Sequence, residues 1–172
     1  CVGCSMSDTA ALPTPPDPPT PAADIAAAGP ALAPIDRIRL FSPGEWEDFV
    51  LEWAHSLRDD YARVDRCGGA GDMGRDVIAV PDEEDESVWD NYQCKHYNHP
   101  LAPGDIWLEL GQLVYFTHLG EFAYPRRYRF IAPQGVGTTL GKLLGKPDDL
   151  KAGLVEKWDS KCRTSITSTA AV

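Results

Sequence analysis

The 172-residue sequence predicts an α/β fold in which a central mixed β-sheet is flanked by helices. Three observations lead to this prediction. Residues 43–57 have the apolar periodicity of an amphipathic helix. Residues 77–80 and 88–92 are rich in β-branched and aromatic types and are separated by a polar loop, as in a β-hairpin. A second helical pattern at residues 106–117 leads to a strand at residues 128–132, and a helical link of this kind favours a parallel strand pair.

The composition is typical of a globular chain without a membrane span. Hydrophobic residues make up 43% of the sequence, and no run of 18 or more apolar residues occurs. Five cysteines, an odd number without a recognised spacing, predict a reducing compartment and hence a cytoplasmic protein. Two of them form Cys1-x-x-Cys4, but no second half of a zinc site accompanies this pair.

The sequence divides into three segments. Residues 1–34 consist mainly of Ala, Pro, Thr and Asp, and because they cannot bury enough apolar surface they are predicted to be a disordered tail. Residues 35–163 hold the helix and strand patterns and form the predicted domain. Residues 164–172 carry no signal that closes a fold and are predicted to be a C-terminal tail.

The first long helix has a clear start. Ser42 is placed as the N-cap, Pro43 as the first helical residue and Glu45 as the partner that completes a capping box. Apolar residues then recur at helical spacing from Trp46 to Leu57, so one face of the helix is predicted to be buried.

The hairpin register brings three polar groups together. Residues 61–66 alternate as an edge strand that feeds a glycine-rich turn. If Val80 lies opposite the start of the next strand, counting back along both strands places Asp76 opposite Gln93 and Cys94. Lys95 then lies on the same sheet face as Gln93. A carboxylate, an amide and an ammonium group therefore converge on one site.

That combination suits a divalent metal and a phosphate ester. Hard oxygen atoms bind Mg²⁺, and a neighbouring lysine can orient water and stabilise negative charge. The segments Gly71-Asp72-Met73-Gly74-Arg75-Asp76 and Gln93-Cys94-Lys95-His96-Tyr97 resemble the PD-(D/E)XK nuclease superfamily in its Mrr-like restriction endonuclease form, and also the nuclease domains of bacterial anti-phage effectors. The resemblance covers roughly residues 38–163. Gln93 stands where the superfamily name expects Asp or Glu, and Gln is the variant of the Mrr-like branch.

The resemblance implies a restriction-endonuclease-like fold and Mg²⁺- or Mn²⁺-dependent hydrolysis of double-stranded DNA. By this likeness Asp76 is the principal metal ligand, and Gln93 with the backbone carbonyl of Cys94 completes the site. Lys95 positions the water. Glu47 lies in an aromatic-Glu-x-apolar pattern that marks the metal-site glutamate of the first helix, and Asp72 is auxiliary.

A chain with a net charge of −10 needs a local basic surface to approach DNA. Residues 122–172 hold nine Lys and Arg against four Asp and Glu, so Arg126, Arg127 and Lys142 are predicted to contact DNA. The resemblance further implies an effector nuclease of anti-phage defence or restriction, together with a sensor or motor domain beyond residue 172. The sequence leaves open whether the protein is a homo-oligomer.

Several alternatives remain open at this stage. Residues 69–74 match G-x-G-x-x-G, but a dinucleotide site needs a helix next, whereas a strand is predicted. Cys94, His96 and His99 suggest zinc, but their compressed spacing fits no usual pattern. The polar cluster can also consist of ordinary surface charges. A catalytically inactive nuclease-fold module that binds DNA or protein, and a nuclease for RNA, are the competing functions.

Overall fold

Local capping fixes the start of the helical layer. The computed structural model describes residues 26–27, 29, 32–57, 59–69 and 72–169. Helix α1 spans Pro34–Arg39 and helix α2 spans Pro43–Ser56. As predicted, the Ser42 hydroxyl accepts a hydrogen bond from the Glu45 amide at 3.3 Å, and the Ser42 amide donates to the Glu45 carboxylate at 2.7 Å. The capping box therefore sets the first residue of α2.

Four strands form one mixed sheet in the order β1-β2-β3-β4, with the bounds Arg63–Arg66, Val77–Val80, Asp90–Cys94 and Arg127–Ile131. The first two pairs are antiparallel and the last pair is parallel. The predicted α/β class with a mixed sheet is thus confirmed, and so is the expected hairpin register, in which Val77 lies opposite Tyr92 and Ala79 opposite Asp90. The third strand begins at Asp90 rather than at residue 88.

The register gives the sheet two different faces. Val77, Ala79 and Tyr92 contribute to a buried cluster with Trp46 and Val50 of α2. Because successive side chains of a strand alternate, the opposite face carries the residues between them, including Asn91 and Gln93. The strand β3 therefore carries Tyr92, Cys94 and the carboxylate Asp90 on the α2 side and amide groups on the other side.

The helices of the second half follow the strands in order. A short 3₁₀ turn at Pro103–Asp105 leads into α3 at Trp107–Leu119, which ends at Gly120 with a left-handed φ of 78°. Helix α3 connects the parallel strands β3 and β4, as predicted. The remaining helical segments are α4 at Thr138–Leu144, α5 at Pro147–Lys157, a π-helical stretch at Trp158–Arg163 and α6 at Thr164–Thr169.

A second buried cluster joins these helices. Leu101, Ile106 and Trp107 pack with Leu140, Cys162 and Ile166. Gly111 of α3 is required at its place, since a Cβ atom there would lie 2.5 Å from the Cys162 sulfur. The close contact between α3 and the π-helical stretch therefore depends on Gly111 and Cys162.

The ends of the chain compare differently with expectation. The predicted disordered tail and the Cys1-x-x-Cys4 pair lie outside the described residues, apart from a few positions between 26 and 34. At the other end the expected tail is instead helical over Thr164–Thr169, because Ile166 packs into the second cluster and is only 2% exposed. Among the described residues, no helix combines the length and the apolar character needed to cross a membrane.

Candidate functional site

Asp76 lies just before β2 and is held from the neighbouring strand. Its Oδ2 atom accepts a hydrogen bond from Gln93 Nε2 at 2.7 Å and one from the Cys94 backbone amide at 2.6 Å. Both contacts follow from the register, because Val77 pairs with Tyr92 and the preceding residue therefore meets Gln93. Among the described residues, no hydrogen-bond donor reaches Oδ1 of Asp76.

The environment of Asp76 disfavours its negative charge. The pKa of this carboxyl is raised from 3.8 to about 6, chiefly by burial and also by the nearby carboxylates of Glu47 and Asp72. The hydrogen bond from the Cys94 amide and the charge of Lys95 act in the opposite direction. Asp76 is thus a partly buried carboxylate whose negative charge is incompletely compensated.

Lys95 is held by a residue that the sequence analysis missed. Its backbone amide donates to Ile131 O at 2.9 Å, which extends the parallel pairing one residue beyond β3. Its ammonium forms a salt bridge with Glu109 of α3, and each of the two side chains is only 12% exposed. The lysine is therefore fixed between the sheet and α3.

Gln93 is at the centre of a hydrogen-bond network. Its Nε2 donates to Asp76, while its Oε1 accepts from Tyr128 Oη at 3.0 Å and from Asn91 Nδ2 at 3.3 Å. Burial raises the pKa of Tyr128 well above its ordinary value, so this hydroxyl remains a donor. The Oδ1 atom of Asn91 is buried and has no partner among the described residues. In this arrangement the amide oxygen of Gln93 points away from Asp76.

Glu47 and Asp72 lie at the edge of the cluster. Glu47 of α2 accepts from Arg66 Nη2 at 2.5 Å, and Arg66 also contacts Asp48. Asp72 belongs to the turn before Asp76, where its Oδ1 accepts from the Gly74 amide at 2.9 Å and Gly74 adopts a left-handed φ of 77°. Both carboxylates are close enough to raise the pKa of Asp76. The structure therefore brings all the predicted acidic residues near Asp76.

The three residues predicted to contact DNA differ in their partners and exposure. Arg126 donates to both oxygens of the fully buried Asp90, at 2.9 and 2.8 Å. Tyr61 donates to the same carboxylate at 2.6 Å. Arg127 is 56% exposed and lies 3.9 Å from Asp90, and Lys142 is exposed on α4. Arg126 thus stabilises a buried charge, whereas the other two basic groups remain at the surface.

The sequence analysis missed two residues of the site, Glu109 and Tyr128. Glu109 is the single acidic residue in the otherwise mostly apolar helix α3, and a lone carboxylate in such a helix needs a partner. Tyr128 stands on β4 opposite Asn91, but its contact with Gln93 depends on a parallel register that the sequence does not specify. The need of Glu109 for a partner could therefore be predicted from the sequence, whereas the contact of Tyr128 with Gln93 could not.

The donor set fits a hard divalent cation through Asp76. Mg²⁺ is usually held by one or two carboxylates, with water and substrate oxygens completing its shell. The Oδ1 atom of Asp76 and the neighbouring carboxylate of Glu47, which also contacts Arg66, are the oxygen ligands that could meet this requirement. Among the described residues, no group of three His, Cys, Asp or Glu side chains is arranged around a common metal position, and this includes Cys94 with His96 and His99. His96 instead contacts the Ile38 carbonyl at 3.0 Å.

Fold and site together define a mixed α/β protein with a polar cluster on the sheet face opposite α2. Comparisons of the chain with protein-family models, with curated proteins and with solved structures found no match.

Proposed function

We propose that this chain is a metal-dependent endonuclease of the PD-(D/E)XK type that hydrolyses phosphodiester bonds in DNA. The observation that carries the proposal is the pairing of two groups on one sheet face. Asp76 is a partly buried carboxylate with a raised pKa, and Lys95 is a lysine fixed beside it by Glu109. A structural carboxylate would be expected to have its charge neutralised, whereas a metal ligand keeps uncompensated charge until the cation binds.

The arrangement of elements supports the finer fold assignment. The order α2-β1-β2-β3-α3-β4, with an antiparallel hairpin and a parallel fourth strand, is the arrangement that the resemblance implies for a restriction-endonuclease-like core. Asp76 before β2, and Gln93 with Lys95 at the end of β3, occupy the positions expected for the catalytic motif.

Each residue of the cluster has a defined task in this proposal. When bound, Mg²⁺ or Mn²⁺ would supply Lewis-acid polarisation of the phosphate and a more acidic water. Asp76 would hold the cation, with Glu47 as a further ligand. Lys95, held by Glu109, would donate hydrogen bonds to the phosphate oxygens and to the attacking water, and so stabilise charge that develops in the transition state. Gln93 would orient Asp76 through the hydrogen bond from Nε2.

Several accompanying features belong to the same proposal. The DNA would approach the surface that carries Arg127 and Lys142, since phosphate binding needs exposed cations. The protein would act in the cytoplasm, as an effector of anti-phage defence or restriction, alongside a sensor or motor domain.

Plasmid cleavage tests the proposal. The parent protein is incubated with supercoiled DNA in Mg²⁺, in Mn²⁺ and in chelator, and the variants Asp76→Ala and Lys95→Ala are compared with it. We expect metal-dependent nicking by the parent and a rate lower by about a thousandfold in each variant, because one preorganised electrostatic group contributes on this scale. Binding of DNA should change little, since both groups act mainly in the transition state.

Matched controls separate loss of chemistry from loss of fold. Glu83→Ala removes an exposed carboxylate from the β2–β3 loop, and Lys161→Ala removes an exposed lysine far along the chain. Both should cleave at the parent rate, and circular dichroism should show all variants folded. Cleavage in chelator, or full activity in the Asp76 and Lys95 variants, would rule out the metal-nuclease mechanism. A parallel assay with RNA decides whether the substrate is DNA or RNA.

A non-catalytic module is the second candidate, and the geometry of Gln93 favours it. The amide oxygen is engaged by Tyr128 and Asn91 and faces away from Asp76, so it is not presented to a cation. DNA binding without cleavage in any divalent metal would support this function instead.

A further inference from the structure

An apolar groove lies between α3 and α5, outside the polar cluster. Its volume is about 710 Å³, and Leu113 and Val114 of α3 face Leu154 and Val155 of α5 across it. Val155 is 69% exposed, which is unusual for a large aliphatic side chain on a helix. This groove leaves apolar surface of both helices in contact with water.

The charges beside the groove are placed symmetrically about Val155. Lys151 precedes it by four residues and Asp159 follows it by four, so all three lie along one side of the helical segment. Lys151 has no ion-pair partner among the described residues, and Asp159 is 81% exposed in its contact with Arg163. An apolar centre is thus flanked by one positive and one negative group, each four residues away along the chain.

We infer that the groove binds a second copy of this chain, with the two α5 helices antiparallel and Val155 on the two-fold axis. In an isologous contact each residue meets the symmetry-related position of the other subunit. Two helices that cross antiparallel at Val155 bring Lys151 of each copy beside Asp159 of the other. Two intermolecular salt bridges then flank the Val155 contact, and the exposed apolar surface of both grooves is covered.

This charge pattern selects the occupant. A parallel pairing would oppose Lys151 to Lys151 and Asp159 to Asp159, which is repulsive. An apolar peptide or a small hydrophobic molecule would cover the leucines but offer no charged partner to Lys151 or Asp159. The dimer is independent of the nuclease proposal, because none of the residues around Asp76 takes part in it.

Sedimentation equilibrium of the full chain tests the dimer. The parent is measured between roughly 1 and 100 µM, a range that resolves the dissociation constants of ordinary homodimers. We expect the parent to be dimeric in the upper part of this range and Val155→Asp to be monomeric throughout it. Leu40→Asp is the matched control, since Leu40 is an aliphatic residue that is 74% exposed and lies outside the groove. It should dimerise like the parent.

Charge exchange gives the decisive comparison. Lys151→Glu and Asp159→Lys each place like charges in contact and should raise the dissociation constant about tenfold or more at low salt. The double variant with both changes restores opposite charges and should recover most of the parent affinity. Unchanged urea midpoints would show that these exposed substitutions leave the fold intact.

The inference fails if the parent is monomeric over the whole range. It also fails if Val155→Asp still dimerises, or if the double charge exchange is as weak as the single changes. A monomeric parent whose groove binds an apolar dye would instead assign the groove to a small hydrophobic molecule.

Discussion

Replacing Asp76 by Asn should make the metal-free protein more stable while abolishing its activity. Burial raises the pKa of Asp76 from 3.8 to about 6, so above pH 6 folding retains a charge in an environment that disfavours it. Asn keeps the shape of the side chain, and its oxygen can still accept from Gln93 Nε2 and the Cys94 amide. The substitution therefore removes the unfavourable charge without removing the two hydrogen bonds.

The magnitude follows from linkage. At 1.36 kcal/mol for each pKa unit, a rise from 3.8 to about 6 corresponds to about 3 kcal/mol. Because water reaches part of the side chain, we reduce this figure to about 1–2 kcal/mol. Because the pKa of Asp76 is higher in the folded state, its charge does not lower the free energy of unfolding of the parent below pH 3.8. That free energy falls as the pH rises through 6. The advantage of Asp76→Asn should thus be small near pH 4 and nearly complete at pH 7.5.

Urea unfolding in chelator at pH 4 and pH 7.5 measures this difference, with Asp60→Asn as an exposed carboxylate control. At pH 7.5 an increase of about 1–2 kcal/mol should move the thermal midpoint up by several degrees. Addition of Mg²⁺ should stabilise the parent and leave Asp76→Asn unchanged, because only the parent offers the carboxylate. If Asp76→Asn is no more stable than the parent at pH 7.5, or if the difference is the same at both pH values, the argument from uncompensated charge is wrong.

Three further predictions concern the supports of the site. Glu109→Gln keeps a hydrogen-bond acceptor for Lys95 but removes the negative charge of the carboxylate. Single-turnover assays should show a cleavage rate about 10–100-fold lower with DNA affinity unchanged. An equal loss of affinity would assign Glu109 to DNA binding instead. Arg126→Met leaves the Asp90 carboxylate buried without its bidentate partner and should lower the free energy of unfolding by about 3 kcal/mol, whereas Arg127→Met should leave stability nearly unchanged and weaken DNA binding in a salt-dependent way. Gly74→Ala forces a side chain into a left-handed φ beside Gln112, so it should cost about 1 kcal/mol in urea unfolding and reduce activity through the turn that carries Asp72; parent-like stability would show that the turn relaxes.

The part of the structure that follows local rules was predictable. The Ser42 capping box, the hairpin register and the glycine that ends α3 depend on neighbouring residues or on two strands joined by one loop. Such features have few alternatives once the apolar pattern is known. The sequence therefore predicts the contact between Asp76 and Gln93.

The contacts between distant segments were not predictable in the same way. The Glu109 salt bridge depends on how α3 is oriented across the sheet, and the Tyr128 hydroxyl reaches Gln93 only because β4 pairs in one parallel register. Arg126 was assigned to DNA from its charge alone, and its partner Asp90 lies 36 residues earlier in the sequence. A count of basic residues does not show which of them form ion pairs with buried carboxylates.

Asp90 in β3 and Asp76 just before β2 differ in how far their negative charges are compensated. Burial raises the pKa of Asp90, but hydrogen bonds from Arg126 and Tyr61 and the nearby arginine charges outweigh burial, and the net pKa is lowered. Asp76 is less buried, yet its pKa is raised, because the hydrogen bond from the Cys94 amide and the charge of Lys95, itself held by Glu109, do not outweigh burial and two further carboxylates. Three guanidinium groups lie around Asp90, whereas Lys95 is the cation near Asp76 among the described residues. Under the proposed function, the charge left uncompensated at Asp76 would be available to a divalent cation. The contrast within a single sheet thus supports metal binding at Asp76 independently of any sequence motif.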